Sequence, residues 1–203
     1  MPELPEVEIV RRGLAPVMEG RNFACVRLNR ANLRFPFPLD FASRLEGRRV
    51  SALRRRAKYI VAELDDGQVL AMHLGMTGRF TVVRGGAEET PGAFYYEGDA
   101  DPRHDHVVFT MNSGRLIRYN DVRRFGYMVL LAPGQMEADP LFRGLGVEPL
   151  SAALSPPYLA GRAKDKAQPL KSFLLDQRIV AGLGNIYVCE ALFKASLPPD
   201  APA

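Results

Sequence analysis

Apolar residues near the start of the chain recur at spacings of three and four, the period of a helix with one buried face. They are Val7, Val10, Leu14 and Val17. The pattern predicts a helix over residues 5–18. Pro5 suits a first helical turn, where a backbone N–H has no helical partner in any case, and Gly20 marks the end. Pro16, inside the stretch, predicts a kink or an early stop.

After residue 20 the pattern changes to seven short runs rich in branched and aromatic residues. Turn-forming sequences such as Asp66-Gly67 and Asn112-Ser113-Gly114 separate the runs, which is typical of antiparallel hairpins. Strands this numerous, with no helix between them, indicate a sandwich or barrel. Residues 84–104 have no such periodicity and are predicted to form a long loop.

The strand pattern stops at Ala132-Pro133-Gly134, and a helical pattern follows. Helices are predicted near residues 139–145, 155–163, 168–175 and 185–195. Ser155 and Asn185 are the expected N-caps. The predicted fold class is therefore α+β: a leading helix and an antiparallel β-sandwich in residues 1–133, then a helical domain in residues 134–203.

Charge divides the chain unevenly. The 203 residues carry a formal net charge of +4, but residues 1–60 hold 13 Lys and Arg against 6 Asp and Glu. A basic first third favours a polyanionic partner such as nucleic acid; a solvated basic surface is the alternative. No apolar run approaches the length of a membrane span. The two cysteines, Cys25 and Cys189, are too few for a four-thiolate zinc site and are expected to be buried.

The N-terminus offers a nucleophile. Methionine is normally removed before a small second residue, which would leave Pro2 with a free secondary amine. α-Amino groups have pKa values of about 7.7–8.0, against about 10.4 for lysine, so part of the population is unprotonated at neutral pH. Such an amine can form a Schiff base with an aldehyde-like carbon, and Glu3 and Glu6 lie beside it to move protons. The alternative is that the glutamates only stabilise the helix start.

Basic residues cluster at Arg54-Arg55-Arg56-Ala57-Lys58. In a strand, Arg54, Arg56 and Lys58 would share one face. Three cations there would repel one another unless a phosphate lay opposite. An edge strand protected by its charges is the alternative.

Two predicted turns carry side chains suited to DNA. Met76, between Gly75 and Gly78, could act as a flexible apolar wedge. Arg123 near Phe125 would combine a phosphate contact with stacking. For each turn taken alone, a place in the core is the alternative.

Two further clusters suggest ligands. His104 and His106 alternate with no further Cys or His nearby, which favours a phosphate contact or a structural hydrogen bond over a metal site. Gly182 and Gly184 precede a predicted helix, whose first N–H groups could bind an anion. No strand precedes these glycines, so a DNA phosphate is a better ligand than a dinucleotide cofactor.

The order of these clusters resembles the bacterial formamidopyrimidine-DNA glycosylase family over nearly the whole chain. The matching motifs are PELPEVE at the start, RRAKYI near 58, HLGMTGRF near 76, RHDHV near 105, YNDVRRFG near 123 and IVAGLGNIYVCEALF near 185. The related endonuclease VIII enzymes typically open with PEGPE. Leu4 therefore favours the branch that prefers oxidised purines such as 8-oxoguanine; an endonuclease VIII-like enzyme for oxidised pyrimidines is the alternative.

The resemblance implies a base-excision repair enzyme, a DNA glycosylase with AP lyase activity. It implies a β-sandwich and a helix–two-turn–helix domain with damaged double-stranded DNA between them. Pro2 would attack C1′ of the damaged nucleotide, Glu3 would donate the proton that opens the sugar, and Lys58 would assist the elimination that nicks the strand. The gap left by the flipped nucleotide would be filled by Met76, Arg123 and Phe125.

The resemblance also implies supporting residues. The DNA backbone would be bound by His104, Arg123, Lys166, Lys171, Asn185 and Tyr187. Acidic side chains near the site would be Glu6 and Glu190. The enzyme is expected to be a monomer without membrane association, in the bacterial cytoplasm and on the nucleoid.

Family members continue beyond this length with a loop over the flipped base and a C-terminal zinc finger of four cysteines. No metal or other cofactor is expected within these 203 residues, and one structural zinc ion is expected only where that finger is present. The sequence is expected to be part of a longer protein. A natural truncation and a non-catalytic DNA-binding remnant are the alternatives.

Overall fold

The computed structural model describes residues 2–92 and 100–203, which form two compact units. The first contains the residues up to Arg55 and Tyr59–Met136, and the second contains Arg56–Lys58 and Glu137–Ala203. None of the helices in these ranges combines the length and apolar character that crossing a bilayer requires.

The first unit begins with helix α1, Leu4–Met18, which buries its predicted apolar face. A capping box fixes its start: Glu3 is the N-cap, and the Glu3 N–H donates to the Glu6 carboxyl three residues later. The helix continues through Pro16 and ends at Met18, so the early stop predicted at that proline is wrong.

Two antiparallel sheets follow, as the alternating runs predicted. The strands found in the described residues are β1 Phe23–Leu28, β2 Val50–Arg56, β3 Tyr59–Leu64, β4 Val69–His73, β5 Arg79–Arg84, β6 Ala87–Glu89, β7 Asp105–Met111, β8 Leu116–Asn120 and β9 Tyr127–Leu131. One sheet has the order β1-β7-β8-β5-β6 and the other β2-β3-β4-β9. A short helix, α2 Phe41–Leu45, lies between β1 and β2 in the chain.

The core of this unit lies between the sheets and under α1. One apolar cluster joins Phe23 and Phe109 of the larger sheet to Ile60 and Leu70 of the smaller one, and Leu14 of α1 belongs to it. Because both inner faces contribute to the same cluster, the unit is a β-sandwich with a leading helix, and the predicted fold class is confirmed.

The second unit contains three helices in the described residues, α3 Pro156–Ala163, α4 Leu170–Leu175 and α5 Asn185–Lys194. Ser155 is the N-cap of α3, as predicted, and its side chain accepts from the Tyr158 N–H at 3.3 Å. A small core of Phe173, Ile179 and Val180 holds the helices together. Two consecutive turns join α4 to α5, which is the helix–two-turn–helix arrangement.

Two predicted elements differ from the structure. The helix predicted at residues 139–145 is a series of turns, since glycines at 144 and 146 weaken a helix and a Cβ at Gly146 would lie 2.3 Å from the Ile179 carbonyl oxygen. The predicted loop at residues 84–104 contains β6, a fully exposed edge strand too short to show alternation. Its residues 93–99 lie outside the described part of the chain.

The cysteines also differ from expectation. Cys25 on β1 and Cys189 on α5 are both exposed free thiols rather than buried apolar groups. They lie in different units, and the described residues contain no group of three or more His, Cys, Asp or Glu side chains able to hold a metal ion. The residues present therefore do not fit the four-thiolate zinc site that the resemblance implies for longer family members.

Candidate active site and nucleic-acid interface

The capping box of α1 places two buried carboxyl groups beside the predicted nucleophile. Pro2 is half-buried and directly precedes the N-cap residue Glu3. Glu3 is 2% exposed and Glu6 is 6% exposed, and the Glu3 N–H donates to Glu6 Oε2 at 2.8 Å. The helix-capping alternative thus describes the geometry correctly, and the same geometry fixes the Glu3 side chain next to Pro2.

Lys58 lies at the tip of the β2–β3 hairpin rather than in a strand. β2 ends at Arg56, and Ala57 has a left-handed backbone with φ of 51°. The prediction that Arg54, Arg56 and Lys58 share one strand face is therefore wrong, because the turn interrupts the alternation before Lys58.

The Glu148 carboxylate holds this hairpin tip. Glu148 Oε1 accepts from the Ala57 N–H at 2.6 Å and from Arg56 Nη1 at 3.0 Å. Arg56 also donates to the carbonyl oxygens of Leu145 and Gly146. Lys58 is half-buried and directly follows this anchored residue pair.

The other two arginines of the basic cluster also have carboxylate partners. Arg54 pairs with Glu63 at 2.6 Å, and Arg55 pairs with Glu8 at 3.4 Å. Since Arg56 forms an ion pair with Glu148, each of the three arginines has an acidic partner. A phosphate is therefore not needed to relieve repulsion, which favours the structural alternative for these three side chains.

The two predicted turns expose their apolar residues, so the core alternative is wrong for both. Met76 is 36% exposed in the turn between β4 and β5, and Phe125 is 42% exposed in the loop between β8 and β9. The Arg123 guanidinium lies over the Phe125 ring at 4.6 Å, a cation–π contact. These three side chains are available to a ligand.

Asp121, the buried residue that links these turns, was not among the residues predicted to form the site. Asp121 is 0% exposed and accepts hydrogen bonds from Thr77 Oγ1, from the Gly126 N–H at 2.8 Å and from Tyr119 Oη at 3.3 Å. An acidic residue directly after a strand and before a basic turn was the available signal, but its partner Thr77 lies 44 positions away.

The two histidines play different parts. His104 is half-buried in a short 3₁₀ turn, and its carbonyl accepts from the Asp121 N–H at 3.1 Å. His106 is buried, and its Nε2 donates to the Asp121 carbonyl at 2.8 Å. Burial lowers the pKa of His106, which favours its neutral form. A structural hydrogen bond, one of the two predicted roles, therefore describes His106.

The start of α5 is organised by one glutamine. Gln177 Oε1 accepts from the Gly182 N–H at 2.8 Å, and Gln177 Nε2 donates to the Leu183 carbonyl at 2.8 Å. The N-cap is Gly184, so the prediction of Asn185 as N-cap is wrong by one position. Asn185 is the exposed first residue of the helix.

The remaining predicted contacts lie along the second unit. Lys166 is exposed in the loop before α4, and Lys171 is half-buried within that helix. Tyr187 is half-buried on α5, where Glu190 is exposed.

A basic cleft surrounds Lys166. Its volume is about 410 Å³ and its charged lining residues are Arg162, Lys164, Lys166, Arg178 and Asp176. The hydrogen bond from Arg178 lowers the pKa of Asp176 and keeps that carboxylate ionised. Four cations against one carboxylate leave the cleft positive, as a site facing phosphates requires.

Comparison with known proteins identifies the family. A model of the formamidopyrimidine-DNA glycosylase N-terminal domain matches residues 1–128, and a model of the formamidopyrimidine-DNA glycosylase H2TH domain matches residues 145–203. The chain belongs to the formamidopyrimidine-DNA glycosylase family. The resemblance inferred from the ordered motifs is thereby confirmed.

Individual glycosylases support the assignment over the whole length of the chain. The formamidopyrimidine-DNA glycosylase of Rhodopseudomonas palustris is 56% identical over 98% of this chain and 68% of its own length. That of Methylobacterium radiotolerans is 57% identical over 100% of this chain and 69% of its own.

Solved glycosylase structures show the same fold. The MutM (Fpg) protein of Thermus thermophilus aligns with a TM-score of 0.80 and 38% identity, over 99% of this chain and 67% of its own. The Lactococcus lactis Fpg in complex with DNA containing an abasic site aligns with a TM-score of 0.83 and 28% identity, over 99% and 69%.

Proposed function

We propose that this protein is a base-excision repair enzyme that removes oxidised purines from double-stranded DNA and nicks the strand at the resulting abasic site. Relatives at 55–57% identity are formamidopyrimidine-DNA glycosylases, and structural neighbours hold DNA with an abasic site or with Fapy-dG. The observation that carries the proposal is the position of Pro2 directly before the buried Glu3–Glu6 capping box.

The chemistry begins at the amine of Pro2 once Met1 is removed. The nitrogen lone pair attacks C1′ of the damaged nucleotide and the glycosidic bond breaks. The base leaves with the bonding electrons and takes up the proton that the Pro2 nitrogen loses. Glu3 donates a proton to the sugar ring oxygen, so the ring opens and the C1′–nitrogen bond becomes an iminium, the Schiff base.

Strand cleavage follows from this iminium. The iminium withdraws electrons and acidifies C2′, so loss of a C2′ proton expels the 3′ phosphate with its bonding electrons. Lys58, at the hairpin tip held by Glu148, assists this elimination. The half-buried position of Lys58 restricts its side chain, which helps to orient the amine.

Access to the base requires extrusion of the nucleotide from the duplex. The exposed Met76 and Phe125, with Arg123 stacked on the latter, fill the vacated space. The phosphate backbone is held by His104, Arg123, Lys166, Lys171, Asn185 and Tyr187. The basic cleft around Lys166 and the N–H groups in the first turn of α5 have the charge that this role requires.

The enzyme acts on chromosomal DNA in the bacterial cytoplasm. Its relatives are bacterial, and its substrate is damaged DNA of the nucleoid. Any structural zinc ion would need thiolates other than Cys25 and Cys189.

Borohydride trapping tests the proposal on the complete gene product. A duplex with a single 8-oxoguanine is incubated with the protein and borohydride, which reduces the iminium to a stable amine. We expect a covalent protein–DNA adduct, and peptide mapping should place it on Pro2. A matched protein carrying a non-cleavable N-terminal extension blocks the amine and should give no adduct, while the same extension at the C-terminus should have no effect.

Three results would contradict the proposal. Absence of an adduct, with salt-dependent duplex binding retained, indicates a non-catalytic DNA-binding protein. An adduct mapped to Lys58 assigns the nucleophile to a different amine. Faster excision of an oxidised pyrimidine than of 8-oxoguanine indicates the specificity of an endonuclease VIII.

A further inference from the structure

Asp121 lies buried between the two turns that present Met76 and Phe125. Its carboxyl oxygens divide their partners between the turns: Oδ1 accepts from Thr77 Oγ1, one residue after Met76, and Oδ2 accepts from the Gly126 N–H, one residue after Phe125. Tyr119 Oη also donates to Oδ2, at 3.3 Å. One side chain therefore joins two loops that are far apart in sequence.

Thr77 extends this connection to Arg123. The Arg123 N–H donates to Thr77 Oγ1 at 3.1 Å, and the same hydroxyl gives its only proton to Asp121. The chain of hydrogen bonds thus runs from the backbone of Arg123 through the Thr77 hydroxyl to the Asp121 carboxyl. The backbone of Asp121 is itself fixed by His104 and His106.

Close backbone packing reinforces the hydrogen bonds. A Cβ atom at Gly75 would lie 2.3 Å from the Gly126 nitrogen and 2.4 Å from the Phe125 carbonyl carbon. At Gly126 a Cβ atom would lie 1.8 Å from Tyr119 Oη. The two turns touch through bare backbone, so neither can shift without moving the other.

This arrangement fixes the turns but leaves their apolar side chains exposed. Met76 and Phe125 are 36% and 42% exposed, whereas Asp121 is 0% exposed. Filling the space left by an extruded nucleotide requires both side chains at once. If the turns moved independently, ordering them on DNA would cost conformational entropy that a prefixed pair avoids.

We propose that Asp121 is a positioning residue for base extrusion, which it serves by holding the Met76 and Arg123–Phe125 turns in one fixed arrangement. The inference rests on the proposed glycosylase function. Asp121 makes no contact with the reacting atoms; it acts through Thr77 and Gly126. Its effect belongs to the extrusion step, which comes before the chemistry at Pro2.

The test compares extrusion rates of four variants of the complete gene product. Thr77→Val removes the hydroxyl and Thr77→Ser restores it. Asp121→Asn leaves one acceptor oxygen, which cannot accept from the Thr77 hydroxyl and the Gly126 N–H at the same time. Asp66→Asn is the matched control, because Asp66 also accepts from backbone and side chain in a turn of the same unit but carries no predicted DNA contact. The probe is a duplex with 8-oxoguanine and a fluorescent base analogue opposite it, followed by stopped-flow fluorescence.

We expect Thr77→Val and Asp121→Asn to slow the fluorescence change by about tenfold, as loss of one hydrogen bond to a charged group does. Thr77→Ser should recover the wild-type rate, and Asp66→Asn should keep it. Wild-type rates in both Thr77→Val and Asp121→Asn would overturn the inference. An equal loss in Asp66→Asn would overturn it too, because the effect would then be general destabilisation.

The failure of this inference is distinguishable from failure of the proposed function. If the wild-type protein forms no borohydride adduct, the glycosylase proposal itself is wrong. If the wild type forms the adduct and the variants extrude the base at its rate, only the role of Asp121 is wrong.

Discussion

His106 is the residue whose titration most directly reports on the hydrogen bonds around Asp121. Burial lowers its pKa from the ordinary 6.5; the nearby Arg30 and His104 act in the same direction, while the hydrogen bond to the Asp121 carbonyl opposes them. The folded protein therefore binds fewer protons than the unfolded chain between the lowered pKa and 6.5. Stability contributed by neutral His106 is present above that window and is lost as pH falls through it.

Urea denaturation across a pH series measures this dependence. We expect the wild-type free energy of unfolding to fall as pH decreases from about 7 to about 5. In His106→Gln, which keeps a side-chain N–H donor without a titrating ring, the decrease should be smaller. Parallel curves for the two proteins would show that other groups cause the dependence.

Residues whose partners are close in sequence could be predicted from the sequence. Glu3 and Glu6 are three positions apart, so a helix start alone brings them together. Asp121 and Thr77 are 44 positions apart, and only the folded sandwich shows that they meet. The proposed roles of Met76 and Phe125 in DNA binding rest on motif resemblance, because a core position is the default interpretation of each turn taken alone.

At the scale of elements, backbone contact between the Gly75 and Gly126 turns gives a prediction on stability. Gly75→Ala would place a methyl group 2.3 Å from the Gly126 nitrogen at a φ of 63°. Gly114→Ala is the control, because its φ is 77° and nothing lies within 4 Å. Because alanine is strained in left-handed backbone, the free energy of unfolding of the control should be about 1 kcal/mol below that of the wild type.

Gly75→Ala should lose about 1–3 kcal/mol more than the control, the usual cost of overpacking. Chemical denaturation of both variants measures the difference. Equal losses would mean that the two turns can separate at little cost, which would also weaken the case for their fixed arrangement.

The hairpin tip of Lys58 gives a second prediction at this scale. Glu148→Ala removes the acceptor of Ala57 and the ion pair of Arg56, which should cost about 1–3 kcal/mol. Because the tip then loses its anchor, strand nicking should slow more than base release. Glu137→Ala, a change at an exposed acidic position of the same unit, should alter neither the rate of strand nicking nor the rate of base release. Gel analysis of nicked and base-free products separates the two steps.

Apolar periodicity predicted the type of a helix or strand correctly where it was strong. The prediction was wrong where close packing or hydrogen bonding at a sheet edge determined the conformation instead. Alternation predicted the long strands, and the helical period predicted α1. The segment at residues 139–145 has apolar residues at helical spacing, but close packing of Gly146 on Ile179 selects turns instead. Strand β6 has no buried side chain and exists because the edge of β5 offers it hydrogen bonds.

At the scale of the whole molecule, we expect charge to set much of the affinity for DNA. The net charge is +4, and within that total the cleft around Lys166 brings four cations together with one carboxylate. Each phosphate contact that releases a counterion adds about 0.9 to the slope of log affinity against log salt. Lys166→Ala should therefore reduce that slope by about one. It should weaken binding to damaged and to undamaged duplexes by the same factor.

Arg12→Ala is the matched control for this last change. It removes one positive charge from the surface, but Arg12 is already paired with Glu8 at 2.8 Å. If net charge alone set the affinity, both variants would shift the salt dependence equally. If Lys166 contacts a phosphate, only its removal changes the slope, and fluorescence anisotropy titrations at about five salt concentrations would resolve a difference of about one. A slope that stays at the wild-type value in Lys166→Ala would remove this lysine from the DNA-binding set.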